Sequence, residues 1–172
     1  MDAYATDSVE PALLVDPTEE RSSCGVGAIM DLNGVKSHSI IKNGMEMLSN
    51  MIHRGATGLD ENTGDGAGIL FQIPHEFFAG EIPVEIPKQY GTGLIFFPNV
   101  KDDVKKLKQI VEDELEIHNL KVLYWREVPT NNKELSQTVK DSEPVVCQPF
   151  VISSENVTNE EFDKGLYLGR RA

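Results

Sequence analysis

The amino-acid sequence predicts a mixed fold of helices and strands that makes up one domain or part of one. Its 172 residues fall within the usual size range of one domain. Several short apolar runs bounded by Gly, Pro or Asn have the pattern of strands. Other stretches repeat apolar residues every three or four positions, which is typical of helices that pack on a core with one face.

The first predicted elements are a strand, a turn and a helix. Residues 25–32 form a small, apolar run that ends at the Asn-Gly pair 33–34, a strong signal for a tight turn. A helix should follow, capped by Ser37 or Ser39 and ended by Gly55. Its apolar positions have helical spacing: Ile41, Met45, Leu48 and Ile52.

Four further strands are predicted downstream. They cover residues 69–73, 93–97, 121–125 and 144–152. Proline at position 74 ends the first of them, because it lacks the N–H that a central strand needs. Cys147, inside the last strand, is expected to be a core residue, since free cysteines are among the most often buried residue types.

Two further helices are predicted between and after these strands. Asn99 should cap the first, and the second covers residues 160–171. The polar connection 130–140 is expected to be partly helical. The apolar stripe of the first of these helices has helical spacing: Val104, Leu107, Val111 and Leu115.

Charge and cysteine content exclude several classes of function. Acidic residues number 28 against 16 basic ones, and the formal charge of −12 argues against nucleic acid and anionic membranes as partners. No apolar run approaches the roughly 18 residues of a membrane span. Cys24 and Cys147 have no CxxC spacing and no histidine cluster, so neither a disulfide framework nor a zinc site is predicted.

Residues 1–23 have the composition of a flexible leader. Six acidic residues stand against one arginine, and Pro11 and Pro17 break any regular pattern. This composition fits an ordinary disordered N-terminus and a propeptide equally well.

Cys24 directly precedes the Gly-rich apolar run and is the candidate nucleophile. If the preceding peptide is removed, Cys24 becomes both nucleophile and N-terminus. A thiol has an unperturbed pKa of about 8.5 and an α-amine of about 7.7 to 8.0, so the amine can act as the base. One residue then provides both groups. By itself, a single cysteine among small residues fits a buried structural cysteine as well.

A cationic and Gly-rich segment follows the first predicted helix. Arg54 lies at the helix end, where a basic residue also stabilises the helix dipole. The loop around Gly64, Asp65 and Gly66 fits neither the dinucleotide nor the P-loop pattern, and it lacks the ligands of a calcium loop. The remaining interpretation is that the glycines let the backbone turn tightly and approach a neighbour, such as the Cys24 terminus.

Three motifs together resemble one known family. They are Cys24-Gly-Val-Gly, His53-Arg-Gly-Ala, and the run Thr63-Gly-Asp-Gly-Ala-Gly that leads to Pro-His75. This combination is similar to the start of the class II glutamine amidotransferase domain of glutamate synthase large chains. The similarity continues through Trp125-Arg-Glu-Val-Pro and residues 143–149, so it covers nearly everything after the leader.

The resemblance implies an N-terminal-nucleophile hydrolase fold of the α+β class, a four-layer αββα sandwich of two antiparallel sheets covered by helices. It implies that residues 1–23 are cleaved and that residues 24–172 belong to the amidotransferase domain. Cys24 would attack the side-chain amide of L-glutamine, release ammonia and form a glutamyl thioester that water hydrolyses. Arg54 corresponds to an arginine near the nucleophile, where we expect it to lower the thiol pKa or orient the terminus.

The same resemblance implies partners outside these residues. Ammonia would pass to a synthase region of the full-length chain, which makes glutamate from 2-oxoglutarate with FMN, an iron–sulfur cluster and a reductant. A reductase subunit is a further partner that the resemblance allows. The amidotransferase domain itself is expected to need no cofactor or metal. A cytoplasmic location is expected, or a plastid in a plant or alga, although no clear transit peptide is present.

Three features of the resembled family have no counterpart in this sequence. The substrate carboxylate is bound there by an Arg-aromatic-Ser-Thr motif, and a further aspartate holds the substrate amine. The oxyanion donors come from a downstream Asn-Gly segment, and the Asn-Gly pair at residues 33–34 lies too near the nucleophile to be that segment. We therefore expect the main determinants of substrate binding to lie beyond Ala172.

These missing features bear on activity. Losing one oxyanion donor lowers the rate about 10²- to 10³-fold. We therefore expect this sequence to be the front half of the amidotransferase domain and to be inactive by itself. The alternatives are a non-catalytic structural or interaction module and another N-terminal-nucleophile amidase.

Overall fold

The computed structural model describes residues 24–56 and 63–171, and the chain divides into two compact units between residues 56 and 57. The predicted leader, residues 1–23, lies outside these ranges. The first unit contains helix α1 (His38–Asn50) and a short 3₁₀ helix, Ile52–Arg54. The described part of the second unit contains four helices and a four-stranded antiparallel sheet.

The turn before α1 is built around Asp31. Its carboxylate Oδ1 accepts hydrogen bonds from the N–H groups of Asn33 at 2.8 Å and Val35 at 3.1 Å, and its carbonyl accepts from Gly34 at 3.1 Å. Gly34 has φ +70°, a conformation that glycine adopts without steric cost. Ser37 then caps α1 by accepting a hydrogen bond from the N–H two residues later. The predicted turn, helix and cap are confirmed.

The strand predicted at residues 25–32 is wrong. This segment has no regular secondary structure, and side chains such as Val26 (90% exposed) and Leu32 (93% exposed) face solvent. A strand forms only where its N–H and C=O groups pair with a neighbouring strand. The described residues of the first unit contain no strand that could pair with it.

The sheet of the second unit is centred on β4 (Val145–Ser153). Along one edge β4 pairs with β1 (Gly91–Thr92) and β2 (Ile95–Phe97), and along the other edge with β3 (Leu120–Glu127). All three pairings are antiparallel. The strands predicted from the downstream apolar runs are therefore confirmed for β2, β3 and β4.

β1 and β2 act as one strand with a gap, because both keep the same register against β4. In that register, Gly93 lies opposite Pro149. The carbonyl of Val146 accepts a hydrogen bond from the N–H of Val128, so the backbone groups of Val146 point to the β3 side. Backbone groups of successive strand residues point alternately to the two edges, and those of residue 149 therefore point to the β1/β2 side. Proline has no N–H to donate, and the ladder is interrupted there.

The four helices of the second unit are α2 (His75–Glu81), α3 (Lys101–Glu116), α4 (Gln137–Asp141) and α5 (Asn159–Arg171). The helices predicted after residue 99 and near the end are confirmed as α3 and α5, and α4 is the helical part of the polar connection. Asn99 is not the cap of α3, since Val100 occupies the cap position without a side-chain hydrogen bond. The sequence pattern did not predict α2.

Two apolar clusters cover the two faces of this sheet. The first cluster joins α3 and α5 to one face through these buried residues: Leu115, Leu120, Val151 and Phe162. The second cluster joins α2 and the segment after it to the other face through these: Phe78, Ile82, Ile86, Tyr90 and Phe150. The neighbouring β4 residues Phe150 and Val151 thus point in opposite directions, as strand geometry requires.

An irregularity in β3 decides which of its side chains reach each face. The register against β4 shifts between Val122 and Tyr124. Val122 packs with the α3/α5 cluster, whereas Tyr124 packs with the α2 cluster, although strict alternation would place both on the same face. The extra residue, Leu123, therefore turns Tyr124 and Arg126 towards α2, as a β-bulge does.

The strand predicted at residues 69–73 is also wrong. These residues have no regular structure, and Leu70 is 99% exposed. No ladder pairs them with the sheet that the structure describes. The fold is of the α+β class, with one described antiparallel sheet. Cys147 is fully buried in β4, which confirms its predicted place in the core.

Candidate functional site

Cys24 lies at the start of the described chain and is an exposed, free cysteine. Exposure rules out the alternative of a buried structural cysteine and leaves the thiol open to a reagent or substrate. Three residues later, Gly27 packs against the side chain of Met47 in α1. The first unit therefore holds the segment after Cys24 against its helix.

Arg54 is the last residue of the 3₁₀ helix that follows α1. The N–H of Gly55 donates to the carbonyl of Ile52 at 3.2 Å and closes this turn with φ −94°, so α1 itself ends earlier than predicted. Nδ1 of His53 lies 3.0 Å from the carbonyl oxygen of Asn50 and secures the same turn. The side chain of Arg54 lies outside the described part of the chain, and its role beside Cys24 stays a prediction.

The Gly-rich loop belongs to the second unit, and residues 57–62 before it lie outside the described chain. Gly64, Asp65 and Gly66 are exposed. Apart from the glycine and its two chain neighbours, no described atom lies within 4 Å of the position that a Cβ would occupy at Gly66 or Gly68, and neither has positive φ. The described surroundings therefore do not themselves require glycine at these two positions, and the role of the loop near the nucleophile stays a prediction.

The determinants of substrate binding were expected from the sequence to lie beyond Ala172. The described part of the second unit ends at Arg171, so Ala172 itself lies outside the described residues. The position of the substrate-binding residues therefore stays a prediction.

The second unit contains an open cleft of about 660 Å³. It lies where β3 ends and β4 begins, and its lining includes Glu81, Tyr124, Arg126, Asn132 and Glu143. Sequence reasoning did not assign this cleft. The sequence feature that could have pointed to the cleft is the pair of segments that resemble the family, around Trp125 and at residues 143–149. These two segments supply much of the cleft wall.

Arg126 is the best-anchored charged group of the cleft. Its side chain is only 14% exposed, and Nη2 donates to Oε2 of Glu81 at 3.1 Å. Its guanidinium also lies 5.9 Å from the ring centroid of Phe77, and Nη1 donates to Oε1 of Gln148 at 3.4 Å. These contacts tie β3 and β4 to α2. Two other residues that line the cleft are also paired, since Nδ2 of Asn132 donates to Oε2 of Glu143 at 2.7 Å.

Tyr90 is the buried ionisable group of the α2 cluster. Burial raises the pKa of its phenol above the ordinary value of 10.0. Its ring stacks on Phe150 with centroids 6.0 Å apart and lies 5.7 Å from the His75 ring. Its hydroxyl is buried and has no hydrogen-bond partner among the described residues. Tyr90 therefore remains neutral at physiological pH and acts as a packing residue.

Residues 24–56 and 63–171 contain no group of three or more His, Cys, Asp or Glu side chains able to hold a metal ion. None of the helices described within those ranges is long and apolar enough to cross a bilayer.

Comparison with known proteins decides the family. A sequence model of the class-II glutamine amidotransferases matches residues 24–172, so the match begins at Cys24. The chain belongs to the class-II glutamine amidotransferases. This family assignment confirms the resemblance drawn from the motifs around Cys24, His53 and Thr63.

Curated relatives of this amidotransferase chain are glutamate synthases. It is 38% identical over 162 residues to the glutamate synthase [NADPH] large chain of Bacillus subtilis, and the aligned region covers 92% of the chain and 11% of that protein. It is 34% identical over 175 residues to ferredoxin-dependent glutamate synthase 2 of Synechocystis, covering 98% of the chain and 11% of that protein. It is also 38% identical to the glutamate synthase [NADH] of Saccharomyces cerevisiae, covering 8% of that protein. The chain thus spans about a tenth of the length of these relatives.

Proposed function

We propose that this amidotransferase chain forms part of the glutaminase region of a glutamate synthase, with Cys24 as the nucleophile. The observation that carries the proposal is that the family match begins at Cys24 and that this thiol is exposed. Removal of residues 1–23 would make Cys24 the N-terminus. The family description supports L-glutamine as the nitrogen donor, and the names of the relatives support glutamate as the product.

The proposed reaction has two steps at the sulfur of Cys24. The α-amine accepts the thiol proton, and a bond forms between sulfur and the amide carbon of the glutamine side chain. The carbon–nitrogen bond then breaks, and ammonia leaves with a proton returned by the ammonium group. Water next attacks the thioester, releases glutamate and restores the thiol. Arg54 would favour the thiolate by its charge, and the loop Gly64–Asp65–Gly66 would complete the surroundings of the nucleophile.

The wider architecture belongs to the same proposal. We expect the described sheet to be one layer of a four-layer αββα sandwich of the N-terminal-nucleophile type. Ammonia would move to a synthase region elsewhere in the full-length polypeptide, which would carry FMN and an iron–sulfur cluster and receive electrons from a reductant or reductase subunit. The chain itself does not fit such a cluster, because it has only two cysteines and one of them is buried in β4. A cytoplasmic or plastid location follows from this role.

A mass measurement and a nucleophile variant test this function in the full-length protein. We expect intact mass to show loss of residues 1–23 and Cys24→Ser to abolish glutamine hydrolysis. A glutamine-like electrophile should add one adduct at Cys24. The Cys147→Ser variant should be labelled to the same extent as the wild type. Retention of the leader in fully active protein excludes the α-amine mechanism. Labelling that depends on Cys147 rather than Cys24 contradicts the nucleophile assignment.

A second function is favoured by one sequence observation. The chain contains no Arg-aromatic-Ser-Thr segment, which binds the substrate carboxylate in the family. We therefore propose that the 172 residues by themselves do not turn over glutamine and act, alone, as a structural or interaction module. Assaying this chain beside the full-length protein separates the two functions. Comparable turnover numbers for both proteins would exclude the module.

A further inference from the structure

The segment that carries Cys24 is held to α1 by packing rather than by hydrogen bonds. In the described chain, no hydrogen bond involves residues 24–30, and the turn at Asp31 is where hydrogen bonding starts. Val26 and Met30, on either side of Gly27, are 90% and 72% exposed. Gly27 is therefore a point of close approach within a segment that is otherwise largely exposed.

The contact at Gly27 leaves no room for a side chain. A Cβ built there would lie 2.9 Å from Cε of Met47, 3.4 Å from its Cγ and closer still to its sulfur. Glycine alone allows this approach of the backbone to the helix without displacing the thioether. Met47 is half-buried, and the end of its side chain lies against the backbone at Gly27.

The distances along the chain connect this contact to the proposed nucleophile. Cys24 is three residues from Gly27, which corresponds to at most about 11 Å of extended chain. Met47 lies in the last turn of α1, about 4.5 Å along the axis from the end of the helix at Asn50 at about 1.5 Å per residue. The 3₁₀ helix that contains Arg54 follows directly after Met51, so α1 carries the contact with Gly27 and leads into the turn that contains Arg54.

We infer that Gly27 and Met47 are positioning residues for Cys24: their packing sets where the thiol stands relative to the end of α1. This inference rests on the proposed function and deepens it. A shift of about 1 Å in a reacting group can lower a rate about 10²-fold. The packing of Gly27 on Met47 would therefore affect catalysis without either residue contacting glutamine.

The flexibility of methionine makes a graded test possible. The atoms nearest to Gly27 are at the far end of an unbranched side chain, which can rotate away from a single added methyl group. Gly27→Ala should therefore have a small effect. Gly27→Val adds a branched side chain and should push the segment off the helix. Met47→Ala in the Gly27→Val background removes the obstacle and should let the segment return.

Two reagents on the full-length protein separate positioning from general damage. A glutamine-like electrophile reports a correctly placed thiol, whereas iodoacetamide reports only an accessible one. We expect Gly27→Val to slow labelling of Cys24 by the glutamine-like reagent about 10- to 100-fold. Labelling by iodoacetamide should change less than about twofold, since the thiol stays exposed. Met45→Ala is the matched control, because Met45 is on the same helix and 53% exposed.

The inference is supported if Met47→Ala restores most of the labelling rate lost in Gly27→Val. It is overturned if Gly27→Val labels like the wild type, if both reagents slow equally, or if Met47→Ala restores nothing. Cys24→Ser tests the proposed function independently. Loss of glutamine hydrolysis in Cys24→Ser with a normal Gly27→Val protein leaves the function standing and removes only the positioning role.

Discussion

The indole Nε1 of Trp125 donates a hydrogen bond of 2.7 Å to Oε1 of Glu112, and this bond joins β3 to α3. The ammonium group of Lys108 lies 5.0 Å from the centroid of the same indole. Trp125 is the only tryptophan in the sequence, so its fluorescence reports this junction alone.

Removing the acceptor should destabilise the second unit and change the emission of Trp125. Glu112→Leu leaves a part-buried N–H without its partner, which lowers the free energy of unfolding by about 1–3 kcal/mol. Glu112→Gln keeps an acceptor and should lose less. Urea unfolding followed by tryptophan fluorescence measures both, with exposed Glu116→Gln on the same helix as the control. Equal stabilities for Glu112→Leu and the control contradict the role of this bond.

The ion pair between Arg126 and Glu81 should contribute more than a surface pair. Arg126 is 14% exposed and has three partners on α2 and β4, whereas Lys106 and Asp103 are 76% and 51% exposed. Arg126→Met should lower the free energy of unfolding by about 1–3 kcal/mol because it leaves Gln148 unpaired and removes the ion pair between β3 and α2.

Lys106→Met is the matched control for Arg126→Met and should change the free energy of unfolding by less than about 1 kcal/mol. Arg126→Lys should fall between the two, since an ammonium group cannot reproduce the planar fork of the guanidinium. Denaturant melts of all three proteins measure these differences. The role assigned to Arg126 is wrong if Arg126→Met is as stable as Lys106→Met.

Helix α5 begins with a capping box whose strength depends on pH. Oε2 of Glu161 accepts hydrogen bonds of 2.9 Å from both the N–H and the hydroxyl of Thr158, and the N–H of Glu161 donates to that hydroxyl oxygen at 3.3 Å. These bonds, the backbone one first, lower the pKa of Glu161 below its ordinary value of 4.5.

A carboxyl group whose pKa is lower in the folded than in the unfolded protein stabilises the fold when the pH is above the unfolded pKa. This contribution is lost as the pH falls through the folded pKa. The wild type should therefore be more stable than Glu161→Gln at neutral pH, and the two should converge in acid below the ordinary value of 4.5. Thermal melts across this range measure the gap. Glu160→Gln, one residue earlier in the same turn, is the control. A gap that stays constant down to acid pH refutes the capping role.

The two cysteines should differ sharply in reactivity. Cys24 is exposed, and Cys147 has no solvent exposure. Native protein should therefore release one equivalent of thiol to a disulfide reagent quickly, and the second only on unfolding. Cys24→Ser should lose the fast phase, and Cys147→Ser should keep it. Two fast thiols in the native protein would contradict the burial of Cys147.

The sequence was informative where local patterns and tertiary contacts agree. The stripe from Val104 to Leu115 became α3, and the cap at Ser37 formed as its side chain allows. The runs at 25–32 and 69–73 failed as strands because apolar composition does not supply a pairing partner.

Helix α2 was missed for the opposite reason, since it depends on tertiary contacts. Its seven residues include a glycine and show no clear period, but Phe78 packs edge-on against Phe150 at 5.0 Å. At the site, the sequence singled out Cys24 from chemistry alone. It could not single out Arg126, because a β-bulge shortly before it decides which face that side chain reaches.

The central place of β4 fixes the order in which the sheet can come apart. Its backbone is bonded on both edges, and its residues Phe150 and Val151 anchor opposite apolar clusters. The gap beside Pro149 gives the β1/β2 edge a weaker attachment than the β3 edge. Deuterium should therefore enter the amides of β1 and β2 first, those of β3 later, and those of β4 only when the whole unit opens.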